Sequence, residues 1–122
     1  MKKLIIPLVC FLLSLTSCSI LNNDSNVYSK KEWINAYKKY TIIQTMKKSG
    51  IDLNKDNSGA IQFEILGTNT QTIKEIDSLS TKYSQEILSS ASYFEGKPII
   101  IMSLDLYTSR RLNQTAKNSF KK

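Results

Sequence analysis

The chemistry of Cys18 is the most clearly defined in the sequence, because this cysteine ends the motif LTSC at positions 15–18. A bulky apolar residue, two small residues and a cysteine form the pattern at which lipoprotein precursors are acylated and cleaved. Two lysines and an apolar run at positions 4–15, too short to span a bilayer, precede this motif. We therefore predict a lipoprotein signal peptide at residues 1–17 and a lipid on Cys18. The alternative is cleavage by the ordinary peptidase, which would leave a free thiol.

Acylation would attach the chain to a membrane without a spanning segment. Ser19 follows the cysteine, whereas Asp at this place retains lipoproteins in the inner membrane, so the sequence favours the periplasmic face of the outer membrane. The residues up to Tyr28 are polar and rich in Asn and Ser, which is typical of a flexible tether. We thus predict a lipidated tether at residues 18–28 and one small domain at residues 29–122.

Few side chains suited to catalysis or metal binding remain after removal of the signal peptide. The chain has no His, and its two cysteines are Cys10, in the signal peptide, and Cys18. An intrachain disulfide, a Cys–His or Ser–His nucleophile and the usual zinc and iron sites are therefore excluded from the mature chain. The ten carboxylates include no close pair on one apolar face, so we predict neither an enzyme nor a cofactor.

Asp52, Asn54 and Asp56 alternate as at the start of a calcium-binding loop. The match is poor, because Asn57 stands where glycine must turn such a loop and Phe63 stands where a bidentate Glu is needed. A loop capped by its own polar side chains is the better interpretation.

The net charge of +7 includes Lys2 and Lys3, so the mature chain would keep 15 of the 17 basic side chains, all ten acidic ones and a charge of +5. Its lysines are spread as pairs rather than gathered in one stripe. The positive charge could serve contact with anionic lipid, binding of an acidic protein partner or simple solubility, and the spread of the lysines favours a solvated surface. In this compartment we expect no nucleic-acid partner.

Three amphipathic helices are predicted before residue 89. The first is capped by Ser29 and Glu32 and ends at Gly50, and the second covers residues 59–66 and is closed by Gly67. The third follows cap residues at positions 68–72. The predicted buried stripe of the first helix is Trp33, Ala36, Tyr37, Tyr40, Ile43 and Met46, and that of the third is Ile73, Ile76, Leu79 or Ser80, Tyr83 and Ile87.

A small polar loop is predicted at residues 89–97, where two adjacent aromatic residues, Tyr93 and Phe94, stand out. They either pack back onto the core or bind a partner. Pro98 then opens an apolar segment that reads as a buried strand or a buried helix, and the proline favours the helix. Ser109 caps a last basic helix. We predict an all-α fold, a small bundle of four to five helices that follows the signal peptide and short tether.

Several segments resemble the immunity proteins of type VI secretion amidase effectors. One such segment is MSLDLYTSRRLNQTAK at residues 102–117, and its most specific piece is LDLYTS at residues 104–109, with Leu112 following. The segments YKKYTIIQTMKKSG, GAIQFEILG and TIKEIDSLSTKYSQEIL agree in the spacing of their apolar residues. The resemblance covers most of residues 29–120 and implies that the segment after Pro98 is helical.

This resemblance implies an all-helical periplasmic inhibitor that forms homodimers and blocks the cleft of a peptidoglycan amidase with a protruding loop. By position in the chain, that loop is the segment at residues 89–97. Tyr93 and Phe94 would be its anchors in the cleft and Glu95 a charge or hydrogen-bond partner. The complete predicted partner-binding set is Ser92, Tyr93, Phe94, Glu95 and Lys97.

Proteins of this family typically carry a disulfide between the first helix and the residue before LDLY, and the corresponding places here hold Thr45 and Ser103. The two cysteines are replaced together, as a paired role predicts. The sequence thus leads to the hypothesis of a lipid-anchored immunity protein that occludes the active site of an amidase effector. The alternative is a structural lipoprotein, an adaptor or assembly subunit of an envelope complex.

Overall fold

A computed structural model describes residues 28–67, 69–91 and 98–120, and within these ranges the chain forms five α-helices and no strand. The helices are α1 (Lys30–Lys48), α2 (Ser58–Leu66), α3 (Thr70–Ala91), α4 (Ile99–Thr108) and α5 (Arg110–Phe120). The predicted all-α bundle is therefore confirmed. Among the described helices, none is long and apolar enough to cross a membrane.

The first helix begins at the predicted capping box. The Ser29 hydroxyl accepts a hydrogen bond from the Glu32 amide (3.2 Å), and a carboxylate oxygen of Glu32 accepts one from the Ser29 amide (2.7 Å). The hydrogen bond from the Ser29 amide holds the pKa of Glu32 below its usual value. The helix ends at Lys48, and Gly50 follows with a φ of 97°, a left-handed conformation that glycine adopts without a steric cost.

The boundaries of the next helices also follow side-chain caps. The carboxylates of Asp52 and Asp56 accept hydrogen bonds from the amides two residues later, so the connection before α2 is the capped loop that the sequence indicated. Gly67 ends α2 with a φ of 74°. The side chain of Asn69 accepts hydrogen bonds from two amides in the first turn of α3, and Ser109 caps α5 in the same way.

The central helix is α1, which contacts each of the other four helices. Ala36 and Tyr37 of its predicted stripe are buried, whereas Trp33, Tyr40, Ile43 and Met46 are only partly buried. The predicted stripe does face the core, because Trp33, Tyr40 and Met46 pack against the buried cluster, but it is only part of the buried surface of this helix. A second side of the helix is covered as well, and it carries Ile34, Thr41, Ile42 and Thr45.

Several hydroxyl groups lie in this core, and most bond within their own helix. Thr41, Thr45 and Ser103 each donate a hydrogen bond to the carbonyl oxygen four residues earlier, at 2.7–2.8 Å. Such a bond satisfies the hydroxyl without a partner from another element, so a helix can bury it at little cost. Thr45 and Ser103, the two places that the resemblance assigns to cysteines, are both fully buried in this way.

The third helix buries Ile76, Ser80, Tyr83 and Ile87, which settles the alternative between Leu79 and Ser80. The Ser80 hydroxyl donates to the Ile76 carbonyl at 2.6 Å. Ser80 is fully buried, whereas Leu79 is only partly buried. The small side chain at this position allows α3 to pack closely on α1.

A polar cluster joins α1, α3 and α5. The phenol of Tyr37 donates a hydrogen bond to Glu75 Oε1 (2.7 Å), and the Ser119 hydroxyl donates to the same oxygen. Tyr37 is fully buried, and this burial raises the pKa of its phenol well above the ordinary value. Beside the cluster, the Trp33 ring packs edge-on against Phe120, with 5.3 Å between the ring centroids.

Candidate partner-binding surface

All the residues that the sequence predicts to carry function lie outside the described residues. They are Cys18, Ser92, Tyr93, Phe94, Glu95 and Lys97. Both flanks of the predicted loop are described. Helix α3 continues through residues 89–91, so the prediction that the loop begins at residue 89 is wrong. The helix continues because the side chain of Ala91 packs into the core, and on the other flank Ile99 is buried at the start of α4. The segment at residues 92–97 therefore connects two buried helix ends.

Helix α4 leaves one apolar side uncovered. Ile100, Ile101 and Leu104 are 53%, 63% and 54% exposed, and their positions place them on the same side of a helix. The opposite side of α4, with Ile99, Ser103 and Leu106, is buried. The prediction that this segment is buried is thus correct for one side only.

An apolar groove continues this exposed side. It has a volume of about 450 Å³, lies between α1, α2 and α4, and includes Leu104 in its wall. Its lining is formed by Lys39, Ile42, Ile43, Met46, Ser58, Gln62, Leu104 and Tyr107. We call the exposed residues Ile100, Ile101 and Leu104, together with this groove, the α4 surface.

The α4 surface has a basic edge. The ammonium group of Lys38 lies 4.5 Å from the centroid of the Tyr107 ring, a cation–π contact, and Lys39 lines the groove. The groove lining contains no carboxylate, His or Cys among the described residues. The surface thus combines an apolar centre with polar and cationic groups at its border.

Most carboxylates elsewhere bind groups of the chain itself. Asp77 pairs with Lys48 at 2.7 Å, and Glu86 pairs with Arg111 at 2.6 Å. The hydrogen bond that Arg111 donates to Glu86 raises the pKa of Arg111, whose guanidinium also lies 4.7 Å from the centroid of the Tyr83 ring. Within the described ranges, no group of His, Cys, Asp and Glu side chains is arranged to hold a metal ion.

The sequence contains one signal for the α4 surface that its interpretation missed. Residues 99–106, IIIMSLDL, are apolar on nearly every side of a helix. A short helix of this kind at the border of a small bundle must expose part of its apolar area, because too few neighbours surround it.

Comparisons of the chain with protein-family models, with curated proteins and with solved structures found no match in any of the three.

Proposed function

We propose that the protein is a lipid-anchored immunity protein that binds and inhibits a type VI secretion peptidoglycan amidase by occluding its active site. The observation that carries this proposal is the α4 surface, where three adjacent aliphatic side chains are each more than half exposed. The first residue of this surface, Ile100, lies three positions after the segment at residues 89–97, to which the resemblance assigns the inhibitory loop. In this proposal, the inhibitory segment that the resemblance assigns and the apolar side of α4 would bind the amidase together.

The motif that carries the family resemblance contributes to this surface. Within LDLYTS at residues 104–109, Leu104 is exposed and Tyr107 lines the groove, whereas Leu106 is buried. The motif thus combines one core contact with two side chains that are accessible to a partner. An inhibitor that excludes substrate from a cleft needs such contact area and shape, and no catalytic group of its own.

The exposed aliphatic groups can contribute measurable affinity. Full burial of an Ile or Leu side chain contributes about 1.5–3 kcal/mol, so covering the exposed half of each one should contribute about 1 kcal/mol. The three side chains would then supply about 3 kcal/mol, with Tyr93 and Phe94 as additional anchors. Export through the predicted signal peptide and attachment through Cys18 would hold the inhibitor where a cell-wall amidase acts.

The test uses the mature chain, residues 18–122, with Cys18→Ser, and the amidase encoded nearest to its gene. Peptidoglycan cleavage and complex formation are measured together. We expect stoichiometric inhibition by the parent chain. Ile101→Ser combined with Leu104→Ser should weaken binding by about 30-fold, because about 2 kcal/mol of apolar contact is lost.

Matched controls separate a binding face from a general loss of apolar surface. Ile61 and Leu88 are also large exposed aliphatic residues, on α2 and α3, and their replacement by Ser should leave inhibition unchanged. A second variant, Tyr93→Ala with Phe94→Ala, tests the loop. If neither the α4 variant nor the loop variant weakens inhibition, the binding site lies elsewhere. If the parent chain neither binds nor inhibits the amidase, the role of a structural adaptor gains support.

A further inference from the structure

A basic groove lies at the end of the bundle where the described chain begins. It has a volume of about 380 Å³ and lies between the first turns of α1 and the middle of α5. Its lining consists of Lys30, Lys31, Ile34, Asn35, Asn113 and Lys117. All three lysines are exposed, and the lining contains no acidic residue.

Among the described residues, no carboxylate forms an ion pair with the lysines of this groove. The ion pairs found among the described residues engage Lys48 and Arg111 and none of the groove lysines. Glu32 is the acidic residue closest to Lys30 and Lys31 in the chain, and its carboxylate accepts a hydrogen bond from the Ser29 amide in the capping box. Lys30 makes a cation–π contact with Phe120, in which its ammonium group lies 5.5 Å from the ring centroid.

The backbone adds to this positive potential. Lys30 and Lys31 are the first two residues of α1, where the free amide groups of a helix carry partial positive charge. Cations are disfavoured at this end of a helix unless an anion is close. The two asparagines add amide groups that can donate hydrogen bonds to oxygen. The groove therefore has the charge and the donors that suit phosphate groups.

The position of the groove favours one source of phosphate groups, the membrane. The predicted lipid on Cys18 and the groove are separated by the tether at residues 18–28, which spans at most roughly 40 Å when fully extended. Because α1 begins at Lys30, a chain anchored through a lipid on Cys18 would have its tether attached at the same end of the bundle as the groove. We propose that this groove docks on the anionic phospholipid head groups of the membrane to which the chain is tethered.

Docking at this end sets the orientation of the α4 surface. Ile42 and Ile43, which line that surface, follow Lys31 by about three turns of α1, a distance of roughly 17 Å along the helix axis. With its basic end on the head groups, the bundle would hold the α4 surface away from the bilayer. A partner could then reach it without competition from lipid.

The experiment measures co-sedimentation of the mature chain carrying Cys18→Ser, so no acyl chain contributes to binding. Vesicles of phosphatidylcholine alone are compared with vesicles in which roughly a third of the lipid is phosphatidylglycerol. We expect the chain to bind the anionic vesicles, to release them at about 0.5 M salt and to leave the neutral vesicles unbound. One lysine near an anionic surface contributes roughly a fivefold factor in partition.

The decisive variant combines Lys30→Gln, Lys31→Gln and Lys117→Gln and should lower partition by roughly 100-fold. The matched control removes the same charge from three exposed lysines towards the other end of α1, with Lys47→Gln, Lys55→Gln and Lys82→Gln. This control should retain most of the binding. Circular dichroism of both variants should match the parent, because all six lysines are on the surface.

The proposal is overturned if both triple variants lose binding equally, which would mean that net charge alone acts. Equal binding to neutral and anionic vesicles, or binding to neither, would overturn it as well. Binding of the groove to vesicles does not depend on the predicted lipid on Cys18. Docking on the membrane in the cell does depend on that lipid, because the lipid would hold the chain at the membrane. Labelled palmitate uptake by the natural chain and by Cys18→Ser tests that anchor separately, so the two failures can be distinguished.

Discussion

Replacement of Tyr37 by Phe tests the buried polar cluster that joins three helices. The Tyr37 phenol donates to Glu75 at 2.7 Å, and Phe removes this donor while Ser119 continues to donate to the same carboxylate. A buried hydrogen bond to a charged group contributes about 1.5–3 kcal/mol. We therefore expect Tyr37→Phe to lower the free energy of unfolding by this amount at neutral pH.

The same variant should change how stability depends on alkaline pH. Burial raises the pKa of Tyr37, so the folded chain keeps its phenol neutral at a pH where the unfolded chain ionises it. A raised pKa in the folded state gives stability that is complete below the ordinary tyrosine pKa of about 10 and is lost above it. At about pH 11, this effect costs the parent chain roughly 1.4 kcal/mol at Tyr37, and the Phe variant cannot lose it.

The stability difference between parent and variant should thus narrow by roughly 1.4 kcal/mol between about pH 9 and pH 11. Burial also raises the pKa values of Tyr40 and Tyr83, but both residues are present in both chains and cancel in the difference. Urea unfolding followed by circular dichroism measures the difference in the free energy of unfolding between the parent chain and Tyr37→Phe. The matched control is Tyr28→Phe, at an exposed tyrosine. A difference that stays constant over this pH range would refute the argument that Tyr37 is desolvated.

Two further predictions concern the ends and the core of the bundle. Ser29→Ala should lower the free energy of unfolding by about 1 kcal/mol, because the Glu32 amide loses its acceptor. The pKa of Glu32 is lowered, so the hydrogen bond that its carboxylate accepts stabilises the fold at neutral pH and is lost as the pH falls through the pKa of the folded state. Urea unfolding at neutral and at acidic pH measures both the loss of the Ser29 acceptor and the titration of Glu32. Equal stability of the parent chain and Ser29→Ala would show that the cap contributes nothing. Leu112→Ala should cost about 2–5 kcal/mol, because this side chain is fully buried. Leu104→Ala, at an exposed site, should lower the free energy of unfolding far less in the same urea series. Similar losses for Leu112→Ala and Leu104→Ala would contradict the described core.

Local signals in the sequence predicted where the helices begin and end. Ser29 with Glu32 predicted the start of α1, and Gly67 and Ser109 predicted the end of α2 and the start of α5. These signals were reliable because a cap acts between residues close in the chain, and its hydrogen bonds form within one helical turn. Such reasoning fails at the end of α3. The helix continues through the small polar residues at positions 89 and 90 to Ala91, whose side chain is buried.

The candidate binding features required the tertiary structure. Periodicity predicted one buried stripe on α1, but a helix that contacts four neighbours buries a second side, and polar residues such as Thr41 and Thr45 take part. The apolar segment of α4 gave no indication of which side faces solvent, because an apolar residue occurs on nearly every side.

The sequence by itself therefore determined the helical class, most of the helix ends and the absence of His from the chain. Only the tertiary structure decided that Ile100, Ile101 and Leu104 are uncovered, and that Lys117 of α5 joins Lys30 and Lys31 in one groove. The physical reason is the range of the interactions. Caps and turns depend on neighbours in the chain, whereas exposure and the clustering of charges depend on contacts between residues that are distant in the chain.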